Sequence, residues 1–394
     1  MNKIQSENLN KNIGLDYAFR FLSSFLIVDG MFVLFLVQKG LPLWKVGILE
    51  GIFHATSIVT EIPSGALADL FGRKKVLMAS RMCGIISSLI MVSSDSMLFL
   101  GIGFVFSAWS YNLLSGSEEA LLYDTFVALG QEESYFKTNS RLNFIMEVSQ
   151  GLALLAGGYL AEKSYFFCYM VMIAVDMAAC LVCLFMEETG GYGRRVSIKS
   201  HFILSGSLIR GNRKLQFVLF HYSVLFAFHT CVFLYSQQYY FARGFSEGRI
   251  GMILLAVCGC TSMGALLSEK ISAALGERAS FVCGLLSAAG LMLMWSPNQA
   301  ASILGFCMNS GANAVLYPLQ SNELNRMIAS EQRATIISVS SMCFSVFMIF
   351  LFPVIGFAAE DMELSNVIFG MGIMLSAYCC IAGRWQAKGA GRDL

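Results

Sequence analysis

The chain alternates long apolar runs with short polar interruptions. Bounding the runs by charge or by Gly, Pro and Asn predicts helical spans over 15–37, 46–68, 76–94, 97–122, 142–161 and 165–186. A second set follows over 216–240, 248–268, 280–296, 300–322, 334–357 and 364–383. Each run is close to the ~20 apolar residues needed to cross the hydrocarbon of a bilayer. The longest polar stretch, 187–214, separates the two sets. The pattern predicts an all-α membrane protein of twelve transmembrane helices in two pseudo-symmetric six-helix bundles. The N-terminal bundle covers 1–186, a cytoplasmic linker 187–214, and the C-terminal bundle 215–394.

The halves echo each other. Gly65-Ala66-Leu67 closes span 2 and Gly264-Ala265-Leu266 closes span 8; Ala161-Glu162 ends span 5 and Ala359-Glu360 ends span 11. Ser115-Gly116 and Ser310-Gly311 fall in spans 4 and 10, each with a tyrosine shortly after, Tyr123 and Tyr317. Matches in the same order at nearly one offset read as a duplicated unit, an arrangement found in many secondary transporters.

Composition agrees with a membrane chain: 56% of residues are hydrophobic and 13% charged, against about a quarter charged in soluble domains. A net charge of +1 suggests no nucleic-acid partner. Residues 1–14 are polar and do not resemble a cleaved leader. The 12 cysteines lie inside apolar runs, where a thiol packs as a small hydrophobe. Cys180 and Cys183 are read the same way, so no metal and no disulfide is expected. Of the 27 Lys and Arg, Arg20 and Arg81 fall deep within spans, and Arg249 stands at the outer edge of span 8. With the N-terminus inside, the outer segments hold only Lys39, Lys45, Lys163, Arg243 and Arg249, and the remainder lie inside. That bias sets orientation and places both termini in the cytoplasm, as expected for a bacterial inner-membrane protein.

The segment after span 2 reads Gly65-Ala66-Leu67-Ala68-Asp69-Leu70-Phe71-Gly72-Arg73-Lys74-Lys75. It resembles the cytoplasmic signature of the major facilitator superfamily, G-x-L-A-D-[RK]-x-G-[RK]-[RK], with Leu70 at a usually basic position. A weaker similarity is to the drug-exporting members. The chain differs from them in having no Arg between 97 and 122, and no Gly-Pro beside Gly151, Gly157 and Gly158. The resemblance implies a central cavity lined by spans 1, 4, 7 and 10. It also implies a gate in which Asp69 binds the N-terminus of span 11, near Arg333-Ala334-Thr335, in one state and releases it in the other. The unpaired N–H groups of that terminus would attract the carboxylate. Arg73 and Lys74 would hold the acid or anchor lipid headgroups.

Ionisable residues within spans are costly and mark function. The first half contains Arg20, Asp29, Glu50, His54, Glu61, Arg81, Glu118, Glu119, Glu147 and Asp176; the second half contains no deep acid or base. This surplus of acid suggests proton coupling, because an unpaired buried carboxylate takes up a proton. Glu50, His54, Ser57 and Glu61 fall within about 60° on span 2 and form one polar stripe. His54 and Asp29 sit at matched depth on adjacent spans and could pass a proton; a permanent pair locking the two spans is the alternative. Glu61 and Glu119 are further proton-coupling candidates. Arg20 is expected to pair with Glu119, and Asn112, Gly116, Glu119 and Tyr123 are expected to share one face of span 4. Asp176 has no obvious partner. His221, His229, Gln237, Asn309, Asn313 and Tyr317 join Arg20, Asn112 and Tyr123 as candidate substrate contacts.

No Walker A sequence, Ser-His-Asp constellation or zinc spacing occurs, so neither an ATP-driven pump nor an enzyme is suggested, and no cofactor is expected. The reading is a monomeric transporter in contact with membrane lipids, driving proton-coupled export of a small lipophilic or cationic molecule. Proton-driven uptake of a sugar or peptide and a non-transporting receptor of the same fold are the alternatives.

Overall fold

The computed structural model describes residues 3–189, 210–328 and 333–390. They form helices and no strand among the described residues. In chain order these are α1 (Lys3–Ser23), α2 (Phe32–Gln38), α3 (Leu43–Phe71), α4 (Arg73–Ser93), α5 (Met97–Leu114), α6 (Ser117–Leu129), α7 (Glu132–Ala161) and α8 (Tyr165–Phe185). The second half contributes α9 (Arg213–Ala242), α10 (Glu247–Leu275), α11 (Ala279–Met294), α12 (Gln299–Met327), α13 (Arg333–Asp361) and α14 (Leu364–Ala390). Each predicted span is present. Eight helical stretches among the described residues are long and apolar enough to cross a membrane by length and composition alone. Most of the predicted linker, 190–209, lies outside the described residues.

Spans 1 and 4 are broken, which periodicity did not reveal. Span 1 is interrupted between α1 and α2, where Leu26 N–H donates to Ser24 O at 2.9 Å and Met31 N–H to Val28 O at 2.9 Å in place of a helical ladder. The break contains Asp29-Gly30, residues that favour turns over helix. Asp29 therefore lies in an irregular segment, not in a helix as its position along span 1 suggested. Span 4 breaks between α5 and α6 at Ser115-Gly116, where Gly116 has φ +77, a conformation that side-chain-bearing residues rarely adopt. The matching Ser310-Gly311 of span 10 lies in the uninterrupted α12.

The chain divides into two compact units. Unit 1 comprises Met1–Phe35 and Ile52–Phe202, and unit 2 comprises Leu36–Gly51 and Ile203–Leu394. In unit 1, α4 packs against α5 and α8, and α1 against α6, α7 and α8. Phe19, Leu77, Leu121, Ala179, Cys183 and Met186 form an apolar cluster between these helices. Gly157 lets α7 meet the broken segment of span 1, since a Cβ there would collide with the Ile27 carbonyl oxygen. Ser149 adds a hydrogen bond from its hydroxyl to Phe21 O at 2.6 Å.

In unit 2, α12 packs against α10 and α11, α11 against α14, and α9 against α13. Gly47-x-x-x-Gly51 lies against Pro353 and Ile349 of α13, as close helix contact at that spacing requires. Gly264 meets Gly311 of α12, whereas Gly259 on the same helix has nothing within 4 Å of its Cβ position.

Close approach of backbones leaves no room for a side chain. Gly157→Leu should therefore cost about 1–3 kcal/mol, the usual range for overpacking. It should lower the thermal midpoint of the purified protein in detergent. Gly259→Ala, placed in open space, should not lower it.

Candidate functional site

The deepest charges of unit 1 lie where the broken spans meet. Arg20, near the end of α1, sits with its Nε 3.2 Å from Glu118 Oε1 and 3.9 Å from Asp16 Oδ2. Glu118 occupies the first turn of α6, just past the Gly116 break. Arg20 and Asp16 are 2% and 3% exposed. The expected partner Glu119 points elsewhere and is exposed. The positive φ at Gly116 re-aims α6 relative to α5, and the glutamate brought to Arg20 is the first of the adjacent pair. The same break divides the predicted face of span 4. Asn112, before it, is buried and bonded to α3, donating from Nδ2 to Thr60 Oγ1 at 2.6 Å and accepting from Ser57 Oγ at 2.9 Å. Tyr123, after it, is 46% exposed and meets Tyr135 edge to face at 5.2 Å.

Asp176 does have a partner. Its Oδ1 accepts from Arg81 Nη1 at 3.1 Å, and both side chains are buried. Arg81 Nη2 also donates to Ser80 Oγ at 2.9 Å. Gly84 leaves space for this pair, because a Cβ there would lie 2.7 Å from Asp176 Oδ2. The two residues come from spans 3 and 6, whose adjacency sequence spacing does not report.

At the signature loop, Gly72 turns the chain with φ +100 between α3 and α4. Arg73 then begins α4 and forms an ion pair with Asp124 of α6, not with Asp69, which is exposed. Glu188 accepts from the backbone N–H groups of Arg73 and Lys74 at 3.0 and 3.1 Å, satisfying orphan donors at the start of α4. Lys74 Nζ donates to Leu184 O and Met186 O at 2.9 and 2.6 Å, capping the end of α8. Asn12 joins α1 to the same place through Glu187, accepting from its N–H at 2.8 Å and donating to its carbonyl at 2.9 Å. The loop's bases are thus bound into unit 1 by acids and carbonyls of α6 and the α8 terminus.

The second half carries its polar groups in helix contacts. His229 donates from Nδ1 to Asn309 Oδ1 at 2.8 Å, and Asn309 Nδ2 donates to Ser287 Oγ at 2.6 Å. Asn313 Nδ2 donates to Leu225 O at 3.3 Å. His221 shares a hydrogen bond with Tyr378 Oη at 3.1 Å and stacks on Phe217. Gln237 is buried; Tyr317 is 59% exposed and stacks on Phe226 at 4.1 Å. An acid is present here too. Helix α12 runs past the predicted end of span 10, and Glu323 accepts from Tyr222 Oη at 3.0 Å. Of the span 2 stripe, His54 is buried and Glu61 half-buried, and Asp29 on the broken segment is exposed.

Residues 17–353 match the sequence profile of the Major Facilitator Superfamily. The chain belongs to that superfamily. Over 361 residues it is 22% identical to the uncharacterized MFS-type transporter YxaM of Bacillus subtilis (strain 168), covering 88% of this chain and 84% of the relative. An uncharacterized transporter of Buchnera aphidicola subsp. Schizaphis graminum is 34% identical over 130 residues, a match spanning 33% of this chain and 32% of that relative. Among solved structures, the nucleoside transporter NupG superposes with a TM-score of 0.75 at 12% identity, covering 95% of this chain and 98% of that one. A D-xylose–proton symporter superposes with a TM-score of 0.69 at 13% identity, covering 96% and 97%. These likenesses establish the fold.

In this transporter, the residues that sequence reasoning passed over are Asp16, Asp124, Glu187, Glu188 and Glu323, with Glu118 and Asp176 noticed but unassigned. One signal for Asp16 was available: it stands four residues before Arg20, one helical turn away on the same face. Nothing comparable marks Asp124 or Glu188, which meet the signature loop only through tertiary packing.

Proposed function

We propose that this superfamily member is a proton-coupled exporter of small lipophilic or cationic molecules, working by alternating access. The observation that carries the reading is the buried surplus of carboxylate around Arg20: two acids, Asp16 and Glu118, share one guanidinium in an apolar surround. Such a group changes charge by one proton with little structural cost, because its unprotonated form leaves a desolvated negative charge. Acid surplus also disfavours an anionic cargo. Accessible Tyr111 and Tyr123 on span 4, with the exposed Glu119 between them in sequence, offer rings and a carboxylate to a cation. The positive-inside bias supports an inner-membrane orientation with both termini cytoplasmic. Asp69 remains the proposed gate residue at the signature loop.

The test is transport in proteoliposomes under an imposed pH gradient, using tetraphenylphosphonium as the cationic probe and D-xylose as the neutral polar one. Gradient-driven movement of the cation, with none of the sugar, is expected. Gradient-driven movement of the sugar alone would overturn the export reading in favour of nutrient uptake. Movement of the cation that ignores the pH gradient would overturn proton coupling.

A further inference from the structure

The buried charges of unit 1 are not two separate pairs. Phe19, next to Arg20, and Leu121, one turn after Glu118, pack in one buried cluster with Leu77, one turn before Arg81, and Ala179, one turn after Asp176. The ion pairs Arg20–Glu118 and Arg81–Asp176 therefore share one apolar surround, and Glu118 lies within electrostatic reach of both guanidinium groups. Arg20 in turn lies beside Asp16. In order, Asp16, Arg20, Glu118, Arg81 and Asp176 alternate in sign and join α1, α6, α4 and α8. Three are acids and two are bases, and all five side chains are buried or nearly so, Glu118 being the most accessible at 12%. Their polar capacity is not exhausted: Arg20 Nη2, Arg81 Nε, Asp16 Oδ2 and Asp176 Oδ2 have no hydrogen-bond partner.

We propose that these five side chains form one proton-binding site that holds a single exchangeable proton, shared between Asp16 and Glu118. The proposal rests on the proton-coupled reading above and adds its location and its count. With every member ionised the group carries a net charge of −1, and one proton brings it to neutrality. Burial makes the unbalanced charge expensive, whereas a neutral alternating chain is tolerated. In the binding step a hydronium ion gives up its proton, an O–H bond forms on a carboxylate oxygen of Asp16 or Glu118, and water is released.

The proton belongs at the Arg20 end. Asp176 is already held by Arg81 in hydrogen-bonding geometry, so it is the acid least in need of neutralisation. Arg20 approaches both of its acids through Nε, without a hydrogen bond to either, and cannot balance two carboxylates at once. Interacting sites of this kind titrate as a unit. Among the described residues, the other titratable groups around the chain include Tyr135 of α7, Tyr123 and Glu119 of α6, Cys180 and Cys183 of α8, and Cys83 and Lys74 of α4, Lys74 being bound by the carbonyls that end α8. Tyr135 and the cysteines are neutral near pH 7, and Glu119 and Tyr123 are exposed to a screening environment.

The site also has a direction. Asp16 lies at the end of the predicted span 1 that faces the signature loop, and Asp176 ten residues into span 6 from the same side, about 15 Å at helical rise. Glu118 follows directly after the Gly116 break. Protonating it removes the charge that Arg20 holds, and that contact ties α6 to α1. Proton occupancy is thereby communicated to the hinge of span 4.

Infrared difference spectroscopy of the purified protein near neutral pH reads the count directly, through the C=O band of a buried protonated carboxyl, and needs no substrate. Wild type should show the band with an amplitude of one carboxyl per chain. Glu118→Gln and Asp16→Asn should each abolish it, because the remaining acids and bases balance. Asp176→Asn should abolish it as well, although Asp176 does not touch Arg20; this outcome separates one shared chain from two local pairs. Arg20→Gln should double the amplitude. The double variant Arg81→Met/Asp176→Asn removes a neutral pair, so it should keep the band and shows that loss in the single variants is not misfolding. A wild type without the band, or an unchanged band in Asp176→Asn, would overturn the proposal. Intact band behaviour beside transport that ignores the pH gradient would sink the coupling reading and leave the site standing.

Discussion

Arg81→Met should be among the most destabilising single substitutions in this transporter. The guanidinium is the hydrogen-bonding partner of a carboxylate with 0% exposure, and Ser80 and Ser110 complete its surroundings. Removing one member of a buried pair strands the other charge, a loss of about 3–5 kcal/mol. No second donor makes up the difference, since Asp176 Oδ2 has no hydrogen-bond partner. Methionine fills roughly the volume of the arginine stem, so the effect reads charge and not a cavity. Adding Asp176→Asn to the same chain should recover most of the lost stability, because a neutral amide no longer requires a counter-charge. Thermal midpoints in detergent of the wild type, the single variant and the double variant check this. A double variant as unstable as the single one would mean that packing, not charge pairing, sets the cost.

Glu118→Gln should abolish accumulation driven by a pH gradient while leaving movement of cargo down its own gradient. The glutamine keeps the shape of the side chain beside Arg20, but it cannot exchange a proton. The remaining Asp16 and Arg20 then balance each other, and the site has one charge state instead of two. An equilibrium that no longer depends on protons cannot be moved by a proton gradient, because a ligand shifts conformations only by its differential affinity for them. The measurement compares counterflow with gradient-driven transport of the same probe in proteoliposomes. Persistence of the gradient-driven component would exclude Glu118 as the coupling acid and turn attention to Asp29, Glu61 and Glu119.

The sites of these two predictions were legible in the sequence to different degrees. The excess of acid in the first half was visible, because an ionisable residue in an apolar run stands out whatever its partner. Which acid meets which base was not visible. Arg20 is expected to meet Glu119 as one of the acids at its depth, and the structure instead places Glu118 beside it, in the first turn of α6 just past the positive φ at Gly116. Asp176 looked unpartnered because its base lies on span 3, far away in sequence. Asp124 and Glu188 were invisible as partners of the signature loop for the same reason.

The number and type of spans, the membrane setting and the superfamily were determined by the sequence alone. Each rests on properties that act locally along the chain: the length of apolar runs against the thickness of a bilayer, the placement of Lys and Arg, and a contiguous motif. The breaks in spans 1 and 4, and the assembly of the buried charges, were decided only by tertiary structure. A glycine or an Asp-Gly pair inside an apolar run is compatible with either a continued helix or a break, as Ser310-Gly311 within α12 and Ser115-Gly116 between α5 and α6 demonstrate. The choice depends on whether neighbouring helices can take up the freed backbone groups and side chains. The Ile27 carbonyl against Gly157, and Glu118 against Arg20, are contacts of that kind, and they exist only once α1, α6 and α7 have packed.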